Sequence, residues 1–539
     1  MDKNKRLTVW LPVIIAASIA LGIFIGNHYL SISQGKKRSY SSGNKINAIL
    51  DIIDEQYVDT VSMSKLVEST IPKIFSELDP HSVYIPAEDA SVVNEELEGS
   101  FSGIGVSFNM QTDTILVISV ISGGPAEKAG LLPFDRIISI NDSIFSGKKK
   151  NQGEIMKTLR GAKNSTVKLG VQRGNSPELL YFDVTRGDVP VNSVDVSFEA
   201  AKGIGYIKVS KFARNTYNEF ITAIAKLKQA GCTSFVIDLR GNTGGYMDAA
   251  INMINEFMPE GRLIVYTEGK SFPRSDVYAN GTGTCKDAPI VVLTDEISAS
   301  ASEIFSGAIQ DNDRGTIVGR RSFGKGLVQR QIPYSDGSAL RLTTARYYTP
   351  TGRSIQKPYT IGDDESYEED IWNRYKNNEF FSADSIHFAD SLKRVTPGGK
   401  VVYGGGGIMP DVFVPADTTD VTKYFVEVAG RNILYRYTIE YADRHREALN
   451  AVKTIDELQT LLDSDKTLVD DFVRYAARKG VAPRYGDIAR SRRLIEAQLR
   501  AYIGRNTALE DNGFYANIYP VDNVVVRAIG ILKEENEND

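Results

Sequence analysis

Between residues 189 and 350, short apolar runs alternate with amphipathic ones, and this alternation limits the fold more than any other feature. Gly205–Val209, Ser234–Leu239 and Pro289–Thr294 read as strands, and Asn215–Gln229, Met247–Phe257 and Ser300–Gln310 follow them as helices. This strand–helix alternation predicts an α/β core with strands buried on both faces. In such a sheet, sites form at the C-terminal edge of the strands.

The flanks differ. Residues 1–30 hold an uncharged apolar run, Leu7–Ile25, behind Lys3, Lys5 and Arg6. Its length just reaches a bilayer, and no small-x-small cleavage site follows, so a retained signal anchor is expected. Residues 31–45 read as a polar linker and 46–97 as a helical region, with Ile46, Ile49, Leu50 and Ile53 on one face. Residues 98–187 become a small β-rich module with strands at Ile104–Asn109, Thr114–Ile121, Arg136–Ile140, Thr166–Arg173 and Leu179–Thr185. The core extends over 188–415 and includes a polar stretch at 360–400 expected to be an irregular surface loop. Residues 416–539 are mostly helical, with Leu468–Arg478 and Ala489–Ile503 as examples.

Three core segments carry candidate chemistry. Ile297-Ser298-Ala299-Ser300-Ala301-Ser302-Glu303 lies between a strand and a helix. A serine there has free helix N–H groups beside it that could stabilise an oxyanion, although the same pattern also spells an ordinary helix cap. Lys325 sits between Gly324 and Gly326 in a largely apolar stretch. Burial there would favour the neutral amine, a general base, which Gln329 four residues on could orient; a solvated lysine in a glycine turn fits the same letters. Asp238-Leu239-Arg240-Gly241-Asn242-Thr243-Gly244-Gly245 ends a strand, and its backbone N–H groups could form an oxyanion hole. A phosphate loop is excluded because the Walker lysine and Ser/Thr are missing.

Scarce residue types exclude other chemistries. Of four histidines, only His81 stands outside the membrane segment, the polar loop and a charged helix, so a lysine base is preferred to a histidine triad. Two cysteines cannot build an all-cysteine metal cage, and no metal or other cofactor is expected. Cys232 and Cys285 each precede a core strand. They would form a disulfide if those strands place them together, and two independent thiols fit equally well. The net charge of −5 shows no basic face for nucleic acid.

In order, the chain carries LDPHSVYI (78–85), GSFSGIGV (99–106), GGPAEKAGLLPFDRIISIN (123–141), DLRGNTGG (238–245), SASASEIFSGAIQD (298–311), SFGKGLVQ (322–329), YYTPTGRSIQ (347–356) and GGGIMPDV (405–412). This ordered set resembles the C-terminal processing peptidases, or tail-specific proteases. The resemblance implies an α/β fold: a crotonase-like protease core with an inserted PDZ domain, a helical N-terminal segment and a helical C-terminal extension of open role. It implies Ser300 as nucleophile, Lys325 as base and Gln329 as its partner, with Lys325 following Ser300 at the family's spacing. It assigns the oxyanion hole to Ala301 with Gly244 or Gly245. It also implies that Gly103, Ile104, Gly105 and Val106 of the PDZ domain hold a substrate's terminal carboxylate.

The expected function is therefore a serine endopeptidase that cuts proteins near their C-termini. The expected setting is the cell envelope, anchored in the inner membrane and facing the periplasm, or exported. Two alternatives stand beside it: a catalytically silent PDZ scaffold that recruits protein tails, and an enzyme acting on acyl-thioesters. A homo-oligomer is compatible with the sequence.

Overall fold

The computed structural model describes residues 15–25, 42–111, 114–121, 123–133, 135–144, 152–174, 176 and 178–538. The chain divides into two compact units, residues 1–73 and 74–539. The first is helical over residues 15–25 and Ser42–Gln56, and Met63–Phe75 begins within it. Residues 7–14 of the expected anchor and 31–41 of the expected linker lie outside the described residues. Among the described residues, no helix is long and apolar enough to cross a membrane.

The larger unit is organised by a six-stranded sheet in the order β1 (Val194–Ala201), β2 (Ile204–Val209), β3 (Ser234–Asp238), β4 (Ile290–Thr294), β5 (Thr316–Gly319) and β6 (Val412–Phe413). The first pair is antiparallel and every later pair is parallel. All five residues of both β3 and β4 are buried, which explains the apolar runs Phe235–Ile237 and Ile290–Leu293 at their centres. The period-2 alternation of strands sorts these side chains onto two faces. Phe235, Ile237, Ile290 and Val292 pack with helices α1 (Thr216–Gln229), α2 (Met247–Asn255) and α3 (Ala301–Asp311). Val236, Val291, Leu293 and Val318 pack instead with Val524, Val525, Ala528 and Leu532 of the last helix, α4 (Asn523–Asn538). The C-terminal region thus supplies one whole cover of the protease sheet.

A second, antiparallel sheet joins Val83–Ile85, Leu263–Gly269, Phe272–Tyr278, Leu327–Pro333 and Ala339–Tyr348. The β-rich module has its own six-stranded antiparallel sheet and an apolar core that includes Ile115, Val117, Ile137, Val167 and Leu169. It connects to the core through the paired strands Ser100–Gly103 and Gly187–Pro190. Helices between Lys423 and Arg505 form another core around Tyr437, Leu458, Phe472 and Ile495.

Three expectations need correction. The stretch 360–400 holds short helices, Asp364–Glu368 and Asp370–Lys376, and a hairpin of Lys393–Val395 with Val401–Tyr403. The strand expected at Ile104–Asn109 is Val106–Gln111, because Gly105 takes φ 77° and breaks the extended run. Cys232 and Cys285 are both buried free thiols. They lie on the wall of one open cavity of about 870 Å³ at the edge of the sheet away from Ser300, with no bond between them.

Candidate active site

The chain after β4 turns sharply before α3. The Asp295 carboxylate accepts the N–H groups of Ile297 and Ser298 at 3.1 and 3.0 Å, and the Ser298 hydroxyl donates to the Leu239 carbonyl at 2.8 Å. Ser300 follows at the helix N-cap with φ 55° and ψ −112°. A non-glycine residue in that region costs about 1–3 kcal/mol and persists only where its surroundings impose it. Every residue of α3 behind it is buried, whereas Ser300 itself stays half-buried at the surface.

Glu303, one turn into α3 and fully buried, ties this serine to the lysine loop. One carboxylate oxygen accepts the Ser300 N–H at 2.9 Å and the Lys325 N–H at 2.8 Å. The other accepts the Gly324 N–H at 2.7 Å and the Ser322 hydroxyl at 2.5 Å. Tyr347 makes a second bridge, its hydroxyl lying against the carbonyl oxygens of Ser300 and Lys325. The glycine after the lysine serves a close approach: a Cβ on Gly326 would sit 2.9 Å from the Gln356 backbone nitrogen.

The Lys325 ammonium donates to Gln329 Oε1 at 3.1 Å. The pairing register of its strand shifts between Val328 and Gln329. Gln329 Nε2 donates in turn to the His81 main-chain carbonyl, which fixes the amide so that its oxygen faces the lysine. His81 is held by its neighbours: the Asp79 carboxylate accepts its N–H at 3.1 Å, and its ring nitrogen Nε2 lies 2.9 Å from the Tyr367 hydroxyl.

Burial sets the protonation states. It lowers the Lys325 pKa, with Arg341 adding repulsion and Asp79 and Glu303 pulling the other way. It pushes Glu303 up to about 7, against the four donors that favour its charged form. His81 falls to about 4, first through burial and then through Lys325, so its imidazole is neutral at pH 7.

The turn after β3 closes the site. A Cβ on Gly244 would lie 2.8 Å from both the Ala299 carbonyl oxygen and Ser300 Cβ, so only glycine lets this backbone reach the serine. The Gly244 N–H donates to Asn242 Oδ1 at 2.9 Å and is therefore occupied. Among the described residues, no acceptor takes the Gly245 or Ala301 N–H.

Residues 203–366 match the sequence profile of Peptidase family S41, and 102–185 that of the PDZ domain. The chain is 34% identical over 353 residues to the carboxy-terminal processing protease CtpB of Bacillus subtilis (strain 168), covering 65% of this chain and 71% of that one. This chain belongs to the carboxy-terminal processing proteases of peptidase family S41. A second relative, a probable CtpA-like serine protease of Staphylococcus aureus (strain N315), is 32% identical over 379 residues, 68% of this chain and 75% of that one. Among solved structures, the photosystem II D1 C-terminal processing protease aligns with 70% of this chain and 95% of its own at 24% identity, with a TM-score of 0.35. The S41 chain is thus a serine-type peptidase that carries a PDZ domain. Its residues 424–508 match a family of unknown function, DUF8443.

In the PDZ domain of this S41 protease, Ile104, Gly105 and Val106 line a cavity of about 200 Å³ together with Phe101, Leu159 and Arg160. Gly103 ends the preceding strand and is not part of that wall. Sequence reading missed Glu303 as a link, taking it only for a capping residue, and missed Tyr347 and the His81 carbonyl. Tyr347 opens the YYTPTGRSIQ segment, but nothing in its spacing from Ser300 or Lys325 signals contact with both.

Proposed function

We propose that this S41 protease cuts proteins near their C-termini through a Ser300–Lys325 dyad. The observation that carries the reading is Lys325: its ammonium is half-buried, its pKa is lowered, and its side-chain partner is the neutral amide of Gln329. A carboxylate in that place would hold the lysine protonated, whereas an amide oxygen orients it without adding charge.

Neutral Lys325 takes the Ser300 proton as the serine oxygen attacks the scissile carbonyl. The oxyanion that develops is stabilised by the Ala301 and Gly245 N–H groups, which have no competing acceptor, in preference to the occupied Gly244 N–H. The lysine ammonium then protonates the leaving amine. Lys325, neutral again, then takes a proton from the water that attacks the acyl-enzyme and returns it to the Ser300 oxygen as the acyl bond breaks. Glu303 and Tyr347 keep the two loops in register through main-chain contacts and exchange no proton with substrate.

The PDZ cavity supports a role in holding the substrate C-terminus, its extended tail adding to a strand edge. The apolar run Leu7–Ile25 behind three basic residues supports tethering to the inner membrane, with the protease on the periplasmic side.

The test is cleavage of an unstructured protein with a free C-terminus, alongside a carboxyl-amidated copy. Ser300→Ala and Lys325→Arg should both be inactive, because arginine cannot accept the proton. The amidated copy should be cut more slowly. An active Lys325→Arg would refute the dyad, and equal rates for the two tails would refute C-terminus recognition.

A further inference from the structure

The turn that carries Gly245 is held from several sides, and one restraint comes from outside the protease profile. The Lys208 ammonium donates to the Arg240 carbonyl at 2.8 Å, and the Gly241 N–H donates to Asp295 Oδ1 at 3.0 Å. The Asn242 carbonyl accepts the Ala299 N–H and the Ser302 hydroxyl, at 3.0 and 2.9 Å, and its side-chain amide donates to the Val209 carbonyl at 2.9 Å. All these partners lie within residues 203–366.

Arg240 reaches further. Its Nε and Nη2 grip the buried Asp238 carboxylate at 2.9 and 2.6 Å, and the Tyr206 hydroxyl donates to that carboxylate at 2.6 Å. The remaining arm, Nη1, meets both oxygens of Asp522 at 3.0 and 2.9 Å. Asp522 also caps α4, accepting the Val524 and Val525 N–H groups at 3.0 and 3.3 Å. One carboxylate thus fixes the start of the helix that covers the protease sheet and clasps the arginine of the oxyanion turn.

We infer that Asp522 is a positioning residue for catalysis, through which the C-terminal region completes the oxyanion turn. The inference rests on the Ser300 reading with Gly245 as an oxyanion donor. Arginine presents a planar fork, so engaging both of its ends fixes its orientation, and with it the first residue of the turn. With Asp522 neutral, Arg240 keeps Asp238 but its outer arm swings free, and a small displacement of the turn misplaces the oxyanion donor.

Capping and clasping can be separated, because asparagine caps as well as aspartate and carries no charge, while glutamate keeps the charge and caps poorly. In the full chain, Asp522→Asn should unfold within a few degrees of wild type and lose about ten-fold in kcat with KM unchanged. Asp522→Glu should unfold earlier yet recover most of the lost kcat. The inference is overturned if kcat follows thermal stability, with the asparagine variant fast and the glutamate variant slow. It is also overturned if both variants keep the wild-type kcat. Residual cleavage by Ser300→Ala, measured in parallel, would instead overturn the nucleophile assignment beneath it.

Discussion

Glu303→Gln tests whether the serine and the lysine are held by one carboxylate. Each carboxylate oxygen accepts two donors, whereas glutamine offers one oxygen and one NH₂ group. With the NH₂ toward Ser300 and Lys325, two buried N–H groups face a donor. In the flipped orientation the Ser322 hydroxyl can accept, but the Gly324 N–H is still opposed. At least one buried donor is therefore stranded, at about 1–3 kcal/mol each. One such loss of about 1–3 kcal/mol, felt where the serine and lysine must stay aligned in the transition state, lowers kcat roughly 5- to 160-fold. The pH profile gives a second signature. Burial raises the Glu303 pKa from 4.5 in the unfolded chain to about 7, so the folded state binds this proton more tightly. The linked stabilisation is full below pH 4.5 and is lost as pH rises through about 7. Activity should run the other way, falling below pH 7 as the protonated acid gives up acceptor positions. Cleavage of a quenched peptide and thermal unfolding between pH 4.5 and 8 measure both trends; Glu303→Gln should lack the stability trend and keep only the activity rise that belongs to Lys325. A glutamine variant with wild-type kcat would refute the single-carboxylate argument.

Four further outcomes are expected. Lys325 has a lowered pKa, so the folded state holds its proton less tightly than the unfolded chain, and stability at this residue rises with pH up to about 10.5. Lys325→Met should therefore raise the melting temperature at pH 7, by a margin that shrinks toward pH 10; a lower melting temperature at pH 7 would contradict the burial argument. Gln329→Ala should lower kcat by about ten-fold, short of the loss in Ser300→Ala, because it only orients the amine. His81→Ala should cost less still, since Gln329 is held by the His81 main chain; a folded but inactive His81→Ala would return the argument to a histidine base. Titration of the unfolded, unreduced protein should find two reactive thiols, and fewer than two would show that Cys232 and Cys285 pair.

The α/β core was legible because β3 and β4 are buried on both faces and so carry apolar centres, Phe235–Ile237 and Ile290–Leu293, with polar residues only at their ends. Helix α2 was expected to end at Phe257 and ends at Asn255, a shift within the usual fraying of termini. The helices at Asp364–Glu368 and Asp370–Lys376 were not legible, because what holds the second in place is distant in sequence. Arg374 donates to the carbonyls of Ser322 and Phe323, and Lys357 lies between the Phe323 and Tyr367 rings with its ammonium 3.0 Å from Asp370. A polar composition reads as a surface loop unless those partners are known. The C-terminal cover was hidden for a related reason. The apolar face of α4 is visible in its own letters, but nothing there says that it packs on Val236 and Leu293 of a sheet formed more than two hundred residues earlier.

At the site, the two readings of SASASE describe the same atoms. Glu303 does accept the Ser300 N–H, as a capping residue would. A cap needs only that one contact, and an exposed carboxylate supplies it at little cost. Here the carboxylate is fully buried and takes three more donors from 322–325, a loop that sequence places some twenty residues away. Burying the charge raises its pKa toward neutrality, a cost that the cap alone would not justify. The bond that makes Ser300 look like an ordinary helix start is one quarter of the arrangement that fixes Lys325 relative to it. Cap and catalytic geometry are therefore not rival explanations. The local pattern states the first, and only the buried carboxylate reaching across to the second loop states the other.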